Sequence, residues 1–303
     1  MRVVYGSNRS RLIFLLAGLP LLAAWCLPAL ADTPERIISM APSTTEILFE
    51  LGLGSRVVGV TRYCDYPEAA KDITKVGGYV DPSYETIVAL KPDLVALLTS
   101  HRDVERALAK LGIPTRMLPH ETLSDIQEAI HTIGEVCGVP KSAATLLESF
   151  TCRSNAVQEA IQGSPKPRVL LCIGRDTGAD QLSGIYIAGR NGFYDEIIAL
   201  AGGVNAYRDV TVAYPQISVE SIIRMNPDVI IELVDYLPPN GKTAEELTAQ
   251  WRQLHTVTAV RKHRVHLITG MHALRPGPRY VFFLEELARL LHPERFREES
   301  SDE

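Results

Sequence analysis

The sequence lacks the patterns that mark the commonest enzyme chemistries. It has no phosphate-binding loop of the form GxxxxGK(S/T), no GxSxG nucleophile motif and no CxxC pair. The segment Gly52-Leu53-Gly54 has neither the third glycine nor the position of a dinucleotide fingerprint. No catalytic residues are therefore expected, although these absences disfavour an enzyme without excluding one.

Basic residues are also too few for a typical nucleic-acid-binding protein. The chain has 31 Lys and Arg against 36 Asp and Glu, a formal net charge of −5. Nucleic-acid recognition usually requires a basic face, so no such partner is expected. With 303 residues and 46% hydrophobic content, the chain is long and apolar enough for two globular domains.

Cysteine and histidine do not form a metal-binding pattern. No histidine pair has HxxxH or HExxH spacing, so neither a metal site nor a cofactor is expected. Cys172 lies in the apolar run VLLCIG and is expected to be a buried thiol. Cys137 and Cys152 flank a helix junction, and the sequence leaves open whether they form a disulfide.

Residues 1–31 have the features of an export signal. Three arginines precede an apolar stretch, and Ala29-Leu30-Ala31 forms a small-x-small cleavage site. Cleavage after Ala31 is the favoured interpretation, and the alternative is an uncleaved membrane anchor.

One segment of the sequence occurs twice. Residues 83–98 read SYETIVALKPDLVALL and residues 218–233 read SVESIIRMNPDVIIEL, at an offset of 135. The identical pairs are Ser83/Ser218, Glu85/Glu220, Ile87/Ile222, Pro92/Pro227, Asp93/Asp228 and Leu98/Leu233. Tyr79 and Tyr214 keep the same offset upstream. A repeat at this distance indicates two similar lobes with a cleft between them.

Short apolar runs alternate with helical patterns in both regions, which predicts α/β lobes with mostly parallel sheets. Residues 141–162 contain neither Gly nor Pro, and they predict one helix roughly 30 Å long between the lobes. The predicted organisation is a signal peptide (1–31), an N-terminal lobe (32–140), a linker helix (141–163) and a C-terminal lobe (164–303).

Glu85 and Glu220 fit two interpretations. Each follows a serine that can cap a helix, and an acid in the first turn stabilises a helix by ~0.3–1 kcal/mol. Alternatively, two corresponding acids on two lobes could dock on two basic pockets of a two-fold partner. The spacing alone does not decide between them.

Loop residues supply the candidate ligand contacts. Tyr79 and Tyr214 lie in turn-rich loops before a helix, where ligands of α/β proteins bind, although either ring could instead pack under its own loop. Tyr63 is a further loop aromatic. Arg275 precedes the terminal helix at the presumed cleft edge, and His272 lies nearby, so both are candidate polar contacts.

A resemblance to a known family rests on three segments, RIISMAPSTTEILFELGLGSRVVGVTRYCDYP, KVGGYVDPSYETIVALKPDLVAL and AYPQISVESIIRMNPDVIIE. They resemble the periplasmic binding proteins of ABC importers for cobalamin, iron–siderophores and haem. The resemblance implies a class III fold, in which a single long α-helix joins two Rossmann-like α/β lobes. It also implies a monomeric periplasmic receptor that binds its ligand without catalysis.

The same resemblance implies roles by position. Glu85 and Glu220 match two glutamates that dock on arginine pockets of the dimeric inner-membrane permease. Pro42 matches a cleft-edge proline and Tyr63 a cleft aromatic. Arg275 matches a cleft arginine, and Tyr79 and Tyr214 fall where cobalamin binders have tryptophans.

The chain departs from the cobalamin binders at several positions. Tyrosine replaces tryptophan at Tyr79 and Tyr214, and Met271 stands where such a binder has an acid. Cobalamin or a related corrinoid is the expected ligand, because the TRYCDYP and VGGY segments fit it best. Haem or a ferric siderophore is the alternative, with Tyr79 as an iron ligand, and a secreted α/β enzyme is less favoured.

Overall fold

The computed structural model describes residues 1–3, 33–179, 181–209, 212–235, 237 and 241–296. Residues 4–32, which hold most of the predicted export signal and its cleavage site, lie outside the described residues. Among the helices described, none combines the length and the apolar character that crossing a membrane requires.

Residues 33–118 form a parallel sheet of four strands in the order β2-β1-β3-β4. The strands are β1 (Ile37–Ser39), β2 (Val57–Val60), β3 (Leu94–Leu98) and β4 (Thr115–Leu118). Every residue of β1 and β3 is buried, as expected of central strands covered on both faces. The predicted parallel sheet is confirmed in this part of the chain.

Four helices accompany this sheet, and together they make up the N-terminal lobe. They are α1 (Pro42–Glu50), α2 (Tyr84–Ala89), α3 (Arg102–Lys110) and α4 (Leu123–Val136). A capping box of Thr122 and Asp125 starts α4, because each side chain accepts the other residue's backbone N–H.

The long helix α5 (Pro140–Ala160) follows this lobe. Its 21 residues correspond to about 32 Å at 1.5 Å per residue. Pro140 occupies the first helical turn, where its missing N–H costs no hydrogen bond. The predicted long helix is therefore confirmed; it begins one residue earlier and ends two residues earlier than the predicted 141–162.

The described residues between 168 and 269 form a second sheet of six strands. They are β5 (Arg168–Gly174), β6 (Ile185–Ile187), β7 (Val204–Asn205), β8 (Gln216–Ile217), β9 (Val229–Val234) and β10 (Val265–Thr269). The parallel order β7-β5-β9-β10 repeats β2-β1-β3-β4. Strands β6 and β8 are antiparallel, which departs from the sequence expectation. β6 has three residues and β8 two, too few for a strand to be predicted from the sequence.

The C-terminal lobe comprises this second sheet and the helices that accompany it. Those helices are α6 (Phe193–Leu200), α7 (Val219–Met225), α8 (Ala244–Gln250), α9 (Thr258–Arg261), α10 (Met271–Leu274) and α11 (Tyr280–Leu291). The second copy of the repeat forms α7 and β9, as the first forms α2 and β3.

Identical residues of the repeat hold its two copies in the same way. Ser83 and Ser218 cap their helices by accepting a backbone N–H three residues later. Ile87 and Ile222 are fully buried on those helices. The shared serines and isoleucines therefore fix how each helix lies on its sheet.

The shared aspartates join neighbouring strands. Asp93 accepts the backbone N–H groups of Glu35 and Arg36, both at 2.9 Å, just before β1. Asp228 accepts the backbone N–H of Arg168, at 2.9 Å, at the start of β5. Each aspartate thus pins the start of the strand beside its own.

The two lobes and α5 share a hydrophobic core. One buried cluster includes Ile37 of β1, Phe150 of α5 and Leu287 of α11. The ring of Phe150 meets Tyr280 edge-on at 5.2 Å. Residues 33–303 accordingly form one unit, and α5 is packed on both sides instead of spanning free solvent. The boundaries at 32–140, 141–163 and 164–303 stay a proposal.

The four cysteines among the described residues are free thiols. Cys137 is buried and Cys152 is exposed, so the disulfide left open by the sequence does not form. Cys172 is buried as predicted, and burial and the nearby Glu232 raise the pKa of its thiol to about 12.

Candidate functional site

Tyr79 lies beside the loop that follows β3. Its hydroxyl is 2.5 Å from the hydroxyl of Ser100, and its ring centroid is 4.1 Å from that of His101. The preceding turn requires glycine, because Gly77 has φ +100° and a Cβ there would meet the Asp81 carbonyl oxygen at 2.6 Å. Tyr79 is therefore held at the carboxyl edge of the sheet, where α/β proteins bind ligands.

Two histidines that sequence reasoning missed complete this edge. His101 follows β3, and the Leu98 N–H donates to its Nδ1 at 3.1 Å, so the proton is on Nε2. That buried Nε2 has no hydrogen-bond partner among the described residues. Burial and the nearby His120 lower the pKa of His101 to about 4, and burial also lowers the pKa of His120. Their position directly after two strands was the available signal.

A hollow of about 250 Å³, here called the shared hollow, lies between the lobes. His120 and Glu121 line it from the N-terminal lobe, and Tyr194 and Tyr214 line it from the C-terminal lobe. The Tyr214 ring is 6.2 Å from that of Tyr194, yet the residue remains 46% exposed. Because His120 stands next to His101, the edge that holds Tyr79 continues into this hollow.

Two hydrogen bonds donated by backbone N–H groups cross between the lobes near the shared hollow. The Phe193 N–H donates to the Glu121 carbonyl at 2.9 Å. The Leu123 N–H at the start of α4 donates to Glu196 of α6 at 2.7 Å. A carboxylate of one lobe thus satisfies the first turn of a helix in the other, which fixes the floor of the hollow.

Arg275 is tied to the loop that carries Tyr63. Its Nη1 is 2.5 Å from Asp65 Oδ1, and its Nη2 donates to the Tyr63 carbonyl at 3.2 Å. Partial burial is the largest single influence and raises the pKa of Asp65, but the hydrogen bond to Arg275, the positive charge of Arg275 and smaller contributions together bring this pKa below its ordinary value. The Tyr63 ring itself is 50% exposed. Arg275 therefore positions the aromatic loop in this structure.

A second arginine strengthens the same contact between the lobes. Arg279 makes a bidentate pair with Glu46 of α1, at 2.8 and 2.6 Å. Glu46 is only 1% exposed, and the Arg279 guanidinium lies 4.0 Å from the centroid of the Tyr66 ring. Sequence reasoning missed this pair, whose members are 233 residues apart.

Pro42 lies near the turn that follows Arg275, whereas His272 lies against α11. Pro42 is half-buried at the first position of α1, next to Ser43. A Cβ on Gly277 would lie 3.3 Å from the Ser43 side chain, so the turn after Arg275 approaches this helix start. His272 instead lies 3.2 Å from Glu286 of α11 and is partly buried there.

A larger hollow of about 840 Å³, here called the C-lobe hollow, opens at the carboxyl ends of β5 and β9. Met271 and a buried ion pair, Arg175 with Glu232, line it. The Arg175 Nε lies 2.7 Å from Glu232, which also accepts the Trp251 indole N–H at 2.6 Å. The sequence signal was an acid inside the apolar strand DVIIEL.

Comparison with known proteins decides the family. The family model described as periplasmic binding protein matches residues 37–270, which include both sheets and α5. The chain belongs to the periplasmic binding protein family. Its fold is that of the class III members, as the resemblance implied.

Three relatives illustrate the range of this family. An ABC transporter substrate-binding lipoprotein of Bacillus subtilis, YvrC, is 30% identical over 88% of this chain and 82% of its own length. The vitamin B12-binding protein of Yersinia pestis is 31% identical over 71% and 74% of the two chains. The solved periplasmic haem-binding protein RhuT of Roseiflexus is 27% identical, with a TM-score of 0.71 over 86% and 99%.

The two glutamates of the repeat are exposed in this periplasmic binding protein. Glu85 lies in the first turn of α2 and Glu220 in the first turn of α7. A hydrogen bond with Ser218 lowers the pKa of Glu220. Neither glutamate makes an ion pair within the described part of the chain, so both carboxylates are accessible to a partner.

The described residues of this binding protein include no group of three His, Cys, Asp or Glu side chains that could hold a metal ion.

Proposed function

We propose that this protein captures cobalamin or a related corrinoid between its lobes and delivers it to a dimeric ABC permease of the inner membrane. The observation that carries the proposal is the placement of Tyr79 and Tyr214. These matched positions of the repeat lie along one edge that runs from the N-terminal lobe into the shared hollow. The protein would act in the periplasm after cleavage behind Ala31, as a monomer without catalysis.

The chemistry of the site suits a large ring with polar edges. Tyrosine rings can cover a flat apolar face while their hydroxyls remain hydrated. Tyr63 and Tyr214 are about half exposed and free to take up such a ligand. The neutral His101 and His120 add no charge at pH 7, which suits a ligand recognised mainly by shape. Pro42, Arg275 and His272 stay proposed contacts of its edge.

Haem is the second candidate, and the environment of Tyr79 favours it. The Tyr79 hydroxyl hydrogen-bonds the Ser100 hydroxyl and no other group among the described residues, and its oxygen could coordinate the iron of a haem ligand in place of that contact. The 27% identical neighbour RhuT is a haem-binding protein, whereas the Yersinia relative binds vitamin B12.

Titration of the purified protein tests the ligand. We expect cobalamin and cobinamide to bind in calorimetry, and haemin and ferric siderophores to bind more weakly. Tyr79→Phe separates the two candidates, because it keeps the ring that covers a corrinoid and removes the oxygen that would bind iron. If haemin binds, and if Tyr79→Phe abolishes that binding while the control Tyr186→Phe does not, haem replaces cobalamin as the proposed ligand. No binding to any of these ligands would overturn receptor function.

The docking role of Glu85 and Glu220 is supported by what the rest of the repeat does. The shared serines cap helices, the isoleucines fill the core and the aspartates pin strands. Among the identical pairs of the repeat, the two glutamates are exposed and join no other element of the described chain, which supports a role outside the fold beyond their favourable place in the first helical turn. A two-fold permease with two basic pockets provides such a role.

Charge reversal tests docking separately from capture. Glu85→Lys with Glu220→Lys should abolish transport and leave ligand affinity unchanged. The control is Glu128→Lys with Glu245→Lys, which changes the net charge equally at exposed sites on α4 and α8. Lost ligand affinity in the Glu85/Glu220 variant would place these acids in the ligand site instead.

A further inference from the structure

Each exposed glutamate of the repeat has an exposed aliphatic neighbour. Val88 on α2 is 48% exposed and Ile223 on α7 is 44% exposed. The two positions are separated by the same 135 residues as Glu85 and Glu220. Each aliphatic side chain therefore follows its glutamate by three residues in both lobes.

The helix geometry puts the two side chains on one outward face. Residues three apart in an α-helix lie about 60° apart around its axis, with Cβ atoms ~5–6 Å from each other. Ile87 and Ile222 are fully buried and point each helix into its lobe. Glu85 with Val88, and Glu220 with Ile223, consequently share the solvent side.

The helices α2 and α7 also end in the same way. Lys91 and Asn226 occupy matching positions after the helices, and both adopt left-handed backbone with φ of 47° and 44°. Single exposed aliphatic residues are common on protein surfaces and need no explanation. This general frequency does not explain why Val88 and Ile223 occupy matched positions, each beside a glutamate on the same helix of the repeat.

We infer that Val88 and Ile223 are the apolar part of a docking face that each lobe presents to the permease. Here the docking face means Glu85 with Val88 on α2 and Glu220 with Ile223 on α7. The inference rests on the proposed docking role of the glutamates. The occupant is a two-fold membrane protein surface that places an apolar patch beside a cationic side chain. The glutamate supplies long-range attraction, and the aliphatic group supplies contact area that salt does not screen.

The test measures binding of the full protein to the ABC transporter purified from the same cells in nanodiscs. Val88→Ser with Ile223→Ser should weaken binding about tenfold, since two partly exposed aliphatic groups lose their contact area. The loss should persist from about 0.05 M to about 0.5 M NaCl, where the contribution of charge is largely screened. Val204→Ser is the matched control, because Val204 is also 44% exposed but lies on β7.

Two comparisons interpret the outcome. If Glu85→Lys with Glu220→Lys abolishes binding while the serine pair behaves like Val204→Ser, the apolar inference is wrong and docking by the glutamates stands. If charge reversal leaves binding unchanged, the docking face itself is refuted and the inference falls with it. Unchanged ligand titrations and circular dichroism establish that the serine variants are folded.

Discussion

The N-terminal copy of the repeat, residues 79–98, and the C-terminal copy, residues 214–233, agree where the segment holds itself together. Both have a serine cap, a buried isoleucine and an aspartate that pins the next strand. They also agree on the outward face, where each presents a glutamate and an aliphatic residue. The features shared by the copies thus fall into two groups: contacts that hold each lobe together, and side chains exposed on the surface.

The copies differ at their tyrosines and at one position within their strands. Tyr79 is half-buried on His101, whereas Tyr214 is exposed beside the shared hollow. Within the strands, Leu97 is fully buried in the first copy, and the matching position in the second is Glu232, paired with Arg175. A two-fold partner requires matched faces, but an asymmetric ligand does not. The positions that differ between the copies are therefore those that a two-fold partner would not contact.

Replacing Glu232 by the residue of the other copy should have the largest effect. Glu232→Leu leaves the fully buried Arg175 side chain without its carboxylate, which should cost about 3–5 kcal/mol of unfolding free energy. Urea denaturation measures the change. Adding Arg175→Met should recover most of the loss, because an apolar pair can replace a buried ion pair.

The reverse swap in the first copy, Leu97→Glu, lacks an arginine partner at an equivalent buried position among the described residues. A Glu232→Leu variant as stable as the wild type would mean that the ion pair is not what holds this end of β9.

Acid should act through the buried His101, whose ring contacts Tyr79 of the N-terminal copy. The folded pKa of His101, about 4, lies below the unfolded value of ~6.5, so the folded state binds fewer protons. Its contribution to stability is complete above pH ~6.5 and is lost as the pH falls toward about 4, up to ~3 kcal/mol.

The unfolding free energy, measured by urea denaturation, should therefore fall between pH 7 and pH 4. The His101→Gln substitution should reduce the slope of unfolding free energy against pH. His255→Gln, which removes an exposed histidine, is the control. An unchanged slope in His101→Gln would contradict the neutral, buried state assigned to this residue.

The shared aspartates should differ modestly. Asp93 accepts two backbone N–H groups and Asp228 accepts one. Asp93→Ala should cost about 3 kcal/mol and Asp228→Ala about 1.5 kcal/mol, since each hydrogen bond to a charged group contributes about 1.5 kcal/mol or somewhat more. Thermal unfolding of the two variants checks the order, and a larger loss at Asp228 would contradict it.

Much of the fold could be predicted from the sequence. The apolar runs of β3 and β9, the helical patterns and the gap without Gly or Pro at α5 each reflect local preferences. The ends of α5 were predicted less well. The helix begins at Pro140, because proline is accepted in a first helical turn, and it ends at Ala160, before the turn at residues 161–163. Strands β6 and β8 were missed, because they have only three and two residues and because β8 pairs with β6, where Ile217 lies opposite Ile185.

The site was only partly predictable. The repeat located Tyr79 and Tyr214, but His101 and His120 belong to no motif. Arg275 was expected to meet a ligand, and that contact stays a prediction. Its pairing with Asp65, 210 residues away, is a tertiary contact that no local pattern contains.

Ligand affinity after substitutions six residues apart in one copy tests the central claim most directly. Calorimetric titration of cobalamin should show about tenfold weaker binding to Tyr214→Ala, because a ring that covers the ligand is lost. Glu220→Ala should bind as tightly as the wild type, because we propose that its carboxylate contacts the permease and not the ligand. Equal affinity in Tyr214→Ala, or weakened binding in Glu220→Ala, would contradict the separation of a ligand side from a docking side.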